Sequence, residues 1–216
     1  MNEFLYREED HTYWMLEKNN EYVRIPSVTE IIKPILDYSK VPDDVLESAR
    51  QRGTNIHATF KLWVQGKLDE EQLAEGNRIS LDAFKEWWDR ERKNFDGLLM
   101  DIKTRPPYIP YDSVQLAGYE ILLNDGVLIN ETVSIHGGWI EEPFGNKNLM
   151  FAGTPDFVKY NSFHMEKYVL YLKPEGGYEF VNVERRQAQS MFRKLLKKWW
   201  DDNNTDNIIK RWRKTK

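Results

Sequence analysis

The sequence predicts a mixed chain of the α/β (α+β) kind, a short central mixed sheet flanked by helices. Three observations predict it. β-prone runs bounded by turn residues recur along the chain. Apolar residues at helical spacing occupy long stretches between them. No internal repeat suggests a solenoid or propeller.

The elements follow in order. Residues 4–25 read as two short strands: Phe4, Tyr6, Thr12, Tyr13, Trp14, Tyr22, Val23 and Ile25 are β-prone, and Glu17 to Asn20 is a polar turn. Pro26-Ser27 opens a helix, with Ser27 as cap, Glu30 as its capping-box partner, and Val28, Ile31, Ile32 and Ile35 at helical spacing. A second helix is predicted over roughly 43–65, with Val45, Leu46, Ala49, Ile56, Phe60 and Val64 on one broad face, Gly53 interrupting it and Gly66 ending it. Asp69 to Asn94 is a third helical region, ending in Leu81, Phe84, Trp87 and Trp88.

Leu98 to Thr104 reads as a strand stopped by a proline-rich loop (Pro106, Pro107, Pro110). Helix is predicted over 112–124, with Val114, Ala117, Ile121 and Leu122 on one side. Val127–His136 and Met150–Tyr160 read as strands joined through Gly137, Gly138 and Gly145. Lys167–Lys173 and Tyr178–Val183 form a hairpin around Pro174-Glu175-Gly176-Gly177, and a last helix runs from about 184 to 201 into a basic tail. The whole suits one domain, 1–216, in three parts: 1–96 an N-terminal hairpin plus helical region, 97–183 the sheet core, and 184–216 the C-terminal helix and tail.

Composition narrows the function. The chain has 216 residues, and Lys+Arg 31 against Asp+Glu 35 leaves a net charge of −4. With 40% hydrophobic and 13% aromatic residues a core is expected and disorder throughout is excluded. There are no cysteines, so no disulfide framework, zinc-thiolate site, iron–sulfur cluster or thiol nucleophile forms. No apolar run approaches the ~20 residues of a membrane span. The acidic start MNEFLYREED is unlike a signal or transit peptide, so a cytoplasmic, intracellular protein with no membrane partner is expected. No Walker A loop is present, which excludes a P-loop ATPase. On charge alone, nucleic acid is a poor partner.

The chemistry-bearing residues change that reading. Asp101 and Lys103 are i and i+2 in a strand and so share a face. A carboxylate that holds a metal beside an ammonium suits phosphodiester hydrolysis. An isolated D-x-K is more often a surface ion pair. Asp156 lies in Gly153-Thr154-Pro155-Asp156, where Gly and Pro suggest a bend or bulge that re-aims it; an ordinary turn aspartate is the equal alternative. His57, in Arg52-Gly53-Thr54-Asn55-Ile56-His57, is placed to ligate metal or touch phosphate, though a lone helical histidine is more often structural.

Together these residues resemble the PD-(D/E)XK nuclease superfamily: G-T-P-D with Asp156, D-I-K-T with Asp101 and Lys103, and Q-L-A-G-Y with Gln115 and Tyr119. The Arg52–His57 element is similar to the RecB-like branch. His11-Thr12-Tyr13 followed by Pro26-Ser27-Val28-Thr29-Glu30-Ile31-Ile32 looks like the opening of phage-type exonucleases and of related mitochondrial RecB-type exonucleases.

The resemblance implies a restriction-endonuclease-like core and an Mg²⁺- or Mn²⁺-dependent DNA exonuclease of phage-type recombination or DNA processing. In that setting the cell is a phage-infected or bacterial host. Asp101, Asp156 and the Ile102 carbonyl would ligate the metal, joined by Glu131 and His57, and Lys103 would orient or activate water. Gln115, Tyr119, Arg52 and Thr104 would support the site or contact DNA. It further implies work beside a strand-annealing recombinase, and some relatives form closed rings. The missing cysteines select the branch without an iron–sulfur cluster. The same scaffold also serves structure-selective or single-strand endonucleases, and a catalytically silent DNA-binding module is the alternative from another class.

One departure stands out. The D-I-K-T block and its helix (97–126) precede the Glu131 and Asp156 strands (127–161), whereas the family order is the reverse. A natural permutation, a deliberate rearrangement and a misassigned segment order all remain compatible with the turn-like junctions. In each case a metal site needs proximity, not chain order. Positive charge gathers at Arg185, Arg186, Arg193, Lys194, Lys197, Lys198, Lys210, Arg211, Arg213, Lys214 and Lys216, either a DNA-facing surface or a solvated face. Trp88 and Trp199 read as core.

Overall fold

The structure is a computed structural model and describes residues 3–17, 20–129, 139–140, 143–159 and 165–203. The N-terminus folds as three antiparallel strands, β1 (Phe4–Arg7), β2 (Thr12–Leu16) and β3 (Tyr22–Ile25), rather than the expected two. An extra turn makes the difference. Asp10 Oδ1 accepts the Thr12 N–H at 3.2 Å and the Thr12 hydroxyl at 2.7 Å. His11 then takes a left-handed φ of 50°. This is the local side-chain turn that Asp favours, and it lies in the charged run Arg7-Glu8-Glu9-Asp10-His11, whose residues are poor strand formers and part the two β-prone stretches.

Ser27 caps α1 (Val28–Ile32) with the predicted capping box, and a 3-10 turn (Lys33–Ile35) follows. The second helix, α2 (Asp43–Val64), runs straight through Gly53, because glycine in a helix costs backbone entropy without blocking the geometry. It ends at Gly66, whose φ is 67°. Only its second half is buried, through Ile56, Thr59 and Phe60, while Val45 is 51% exposed, so the expected broad apolar face is half as long. The region predicted as one helical stretch from Asp69 resolves into a 3-10 turn (Glu70–Gln72), α3 (Glu75–Arg90) and another 3-10 turn (Arg92–Asn94). Phe84 of α3 stacks on Phe60 of α2 at 4.4 Å, and Trp87 and Trp88 are buried.

The remaining elements are β4 (Leu98–Lys103), α4 (Ile109–Asp125), β5 (Val127–Leu128), β6 (Trp139–Ile140), β7 (Phe144–Asn146), β8 (Phe151–Gly153), β9 (Phe157–Lys159), β10 (Glu166–Leu172), β11 (Tyr178–Asn182) and α5 (Ala188–Asp202). A five-stranded mixed sheet has the order β11-β10-β4-β9-β6, and a smaller sheet has the order β5-β7-β8. In the five-stranded sheet β10 runs parallel to β4, and the other pairings are antiparallel.

Several expectations shift here. The fourth helix starts at Ile109, because Pro110 sits in its first turn, where no N–H partner is needed. The strand expected over 150–160 is two strands in different sheets, β8 and β9, parted at Thr154-Pro155-Asp156. Gly145, expected in a connection, lies within β7. The last helix begins at Ala188, four residues after the expected start at 184. Most of the expected 127–136 strand, and the basic residues from Lys210 on, lie outside the described residues.

Alternation along β4 divides the interior in two. Leu98, Met100 and Ile102 join Phe60, Phe84 and Trp87 in a core under α2 and α3. Leu99 joins Val114, Ala117, Phe192 and Trp200 in a core under α4 and α5. Gly118 allows the α4–α5 contact: a Cβ there would lie 2.5 Å from the Phe192 ring. Asp101 and Lys103 share the Leu99 face, so β4 presents them toward α4.

Candidate active site

Asp101 and Lys103 stand side by side, as strand geometry requires, with Lys103 Nζ 2.6 Å from Asp101 Oδ2. Asp101 is buried, 2% exposed. The β4–β9 register pairs Met100 with Phe157, so the next step brings Asp156 alongside Asp101. The Ile102 N–H donates to Asp156 Oδ2. The break between β8 and β9 therefore does what a re-aiming bend is expected to do. From α2, His57 Nδ1 reaches Asp156 Oδ1 at 3.1 Å. From α4, Gln115 Nε2 donates to Asp101 Oδ1 and to the Tyr119 hydroxyl, each at 3.1 Å. Gln115 and Tyr119 are i and i+4 and share one helix face, as their spacing requires.

The electrostatics follow from burial and neighbours. Burial pushes the Asp101 carboxyl up to about 7; the Lys103 ammonium opposes this and the Asp156 charge adds to it. For Asp156 burial acts the same way, but His57, Lys103 and the Ile102 N–H outweigh it and hold the carboxyl below its ordinary value. Burial works against the Lys103 ammonium, yet Asp101 and Asp156 hold its pKa above the ordinary lysine value. The site thus keeps one fixed cation beside two close carboxylates, one of which holds a proton easily.

The described groups that could hold a divalent cation here are Asp101 and Asp156. Two buried carboxylates supply hard oxygen ligands, and Mg²⁺ needs few of these because it keeps several waters. The Gln115 Oε1 is buried without a hydrogen-bond partner, an oxygen beside Asp101 still available for a bound water or ion. Among the described residues no group of three or more His, Asp and Glu side chains gathers as a ready metal cage. Glu131 lies outside the described residues. Arg52 is exposed on α2 and is not among the residues of the cleft beside the site, whereas Thr104 follows β4 and is half-buried.

That cleft has a volume of about 560 Å³. Tyr6, Glu8, Glu9 and His11 of the N-terminal sheet form one part of its lining. His57 and Lys61 of α2, with Thr154 and Asp156, form another. Tyr13 ties the sheet to the site, with its hydroxyl 2.6 Å from Thr154 Oγ1 and its own pKa pushed up to about 12, mainly by burial. Gly153 is needed for close approach, since a Cβ there would sit 2.8 Å from the Tyr119 ring.

Sequence reasoning missed Asp112. It is fully buried in the first turn of α4 and accepts from Arg105, from the Tyr108 N–H at 3.1 Å and from the Tyr171 hydroxyl at 2.6 Å. This network ties the loop after Lys103 to α4 and β10. An acidic residue in the first turn of a proline-led helix is the signal that points to it. On α5, Lys197 and Lys198 pair with Asp201 and Asp202, which lowers the free positive charge of that face.

No family model matches this chain, and no curated protein matches it. Among the described residues no helix is long and apolar enough to cross a membrane.

Proposed function

We propose that the protein is a metal-dependent deoxyribonuclease with a restriction-endonuclease-like core, acting as an exonuclease in phage-type recombination or DNA processing. The observation that carries the reading is the convergence of Asp101, Lys103 and Asp156 on adjacent antiparallel strands, with Gln115 and His57 reaching in from two helices. β9 lies beside β4 in space although the chain visits them in the reverse of the family order.

Asp101 and Asp156 would hold Mg²⁺ or Mn²⁺, with Gln115 Oε1 and the Ile102 carbonyl beside them. When bound, such an ion polarises the phosphate and lowers the pKa of a bound water. The chain's own residues do the rest. Lys103, kept protonated by its neighbours, orients the attacking water and neutralises charge that grows on the phosphate oxygens. His57 holds Asp156 in place and stands at the edge of the cleft. Gln115 fixes the Asp101 carboxylate, and Tyr119 fixes Gln115.

DNA is the partner on this reading, and a strand-annealing recombinase is the protein it would work beside. The test is digestion of end-labelled linear DNA and of a closed circle, with Mg²⁺ and with EDTA. Loss of the linear substrate alone, only with Mg²⁺, is the expected result. Cutting of the circle would reassign the protein as an endonuclease, and no digestion of either would overturn the reading.

A further inference from the structure

We propose that the turn joining β1 and β2 forms a phosphate-binding subsite on the wall of the cleft, with His11 as the donor and Tyr6 as its support. The proposal rests on the reading of the protein as a deoxyribonuclease, and it deepens that reading by naming a group on the cleft wall that would meet the backbone of the DNA.

The turn is built for the purpose. Asp10 binds both polar groups of Thr12, and His11 is held at φ 50°, a conformation that costs a non-glycine residue energy. The Tyr6 hydroxyl lies 2.8 Å from His11 Nδ1. With Tyr6 donating to Nδ1, Nε2 carries the ring's hydrogen and is a donor. His11 is exposed and lines the cleft together with His57 and Asp156.

Its position relative to the reacting end is also fixed. Tyr6 stacks on Tyr13 at 5.0 Å, and Tyr13 is bonded to Thr154, two residues before Asp156. The imidazole is therefore linked, through the rings of Tyr6 and Tyr13 and the Tyr13–Thr154 hydrogen bond, to the segment that carries Asp156. Glu8 and Glu9 add negative charge to the same wall. A phosphodiester entering there needs a local donor, and on the wall that carries Glu8 and Glu9 the imidazole of His11 is such a group, with His57 and Lys61 facing the cleft from α2.

The experiment measures binding and cleavage separately. A fluorescent single-stranded oligonucleotide is titrated in EDTA against the wild type, His11→Gly and Tyr6→Phe, with melting curves for each. Glycine takes a left-handed φ freely, so His11→Gly melts no lower than the wild type. Its Kd rises about tenfold, the loss expected for one hydrogen bond to a charged group. Tyr6→Phe gives a smaller rise. A single methylphosphonate walked along the strand removes the His11→Gly penalty at one position. An unchanged Kd for His11→Gly, or a penalty that persists at every methylphosphonate position, overturns the subsite. Cleavage with Mg²⁺ is scored on the same oligonucleotide. A wild type inactive on this oligonucleotide and on its duplex, with binding still weakened in His11→Gly, would overturn the nuclease reading and leave the subsite standing.

Discussion

The carboxylate of Asp156 accepts the backbone N–H of Ile102, a residue 54 positions earlier in the chain. That bond spans β4 and β9 at the point where Asp101 and Lys103 leave the strand. It makes the two carboxylates neighbours whatever order the chain visits them in. Their closeness creates the electrostatic problem from which the first prediction follows.

Without metal, stability should fall as pH rises from about 4 to about 7. The Asp101 carboxyl has its pKa raised from 3.8 to about 7 on folding, so its contribution is fully present below the unfolded value and is lost as pH rises through the folded one. Asp156 has a lowered pKa, so its contribution is lost only in more acid solution. Urea unfolding in EDTA at pH 4.5 and pH 8 checks this against Asp101→Asn. The variant should lose less stability across the interval, and equal losses would contradict the assignment.

Asp112→Ala should cost about 3–5 kcal/mol, because it leaves the Arg105 guanidinium, the Tyr171 hydroxyl and the Tyr108 N–H without their shared acceptor. Tyr171→Phe removes one bond and should cost about 1 kcal/mol. Chemical denaturation of the two variants separates these values.

Gly118→Ala should cost about 1–3 kcal/mol, since its methyl group meets the Phe192 ring and α4 must move from α5. Gly153→Ala meets the Tyr119 ring, which supports Gln115. It should therefore lower nuclease activity as well as the melting temperature. Melting and activity measured together distinguish the two glycines.

Much of this arrangement is legible in the sequence, and the physical reasons differ by residue. Ser27 and Glu30 announce their capping box because the motif is local. Asp101 and Lys103 share a face because a strand's period is two. Tyr119 and Gln115 share one because a helix brings i and i+4 together. Asp112 stays hidden because its partners, Arg105 and Tyr171, lie in a loop and a distant strand. The extra turn at Asp10 is overlooked because the β-prone residues on both sides draw the eye past Glu8-Glu9-Asp10, a short charged run that strands disfavour. The division of the 150–160 strand between two sheets depends on which neighbours β8 and β9 find, and no local pattern records that. Gly53 misleads in the other direction: helix packing through Ile56 and Phe60 overrides its weak propensity.

The central claim concerns Lys103 and the two carboxylates beside it. The measurement that tests it most directly is the single-turnover cleavage rate of an end-labelled DNA duplex with Mg²⁺, for the wild type and Lys103→Ala at matched melting temperature. The account predicts a loss of about a hundredfold or more, the scale on which removal of one group that stabilises the transition state acts. Equal rates for the two proteins would contradict it.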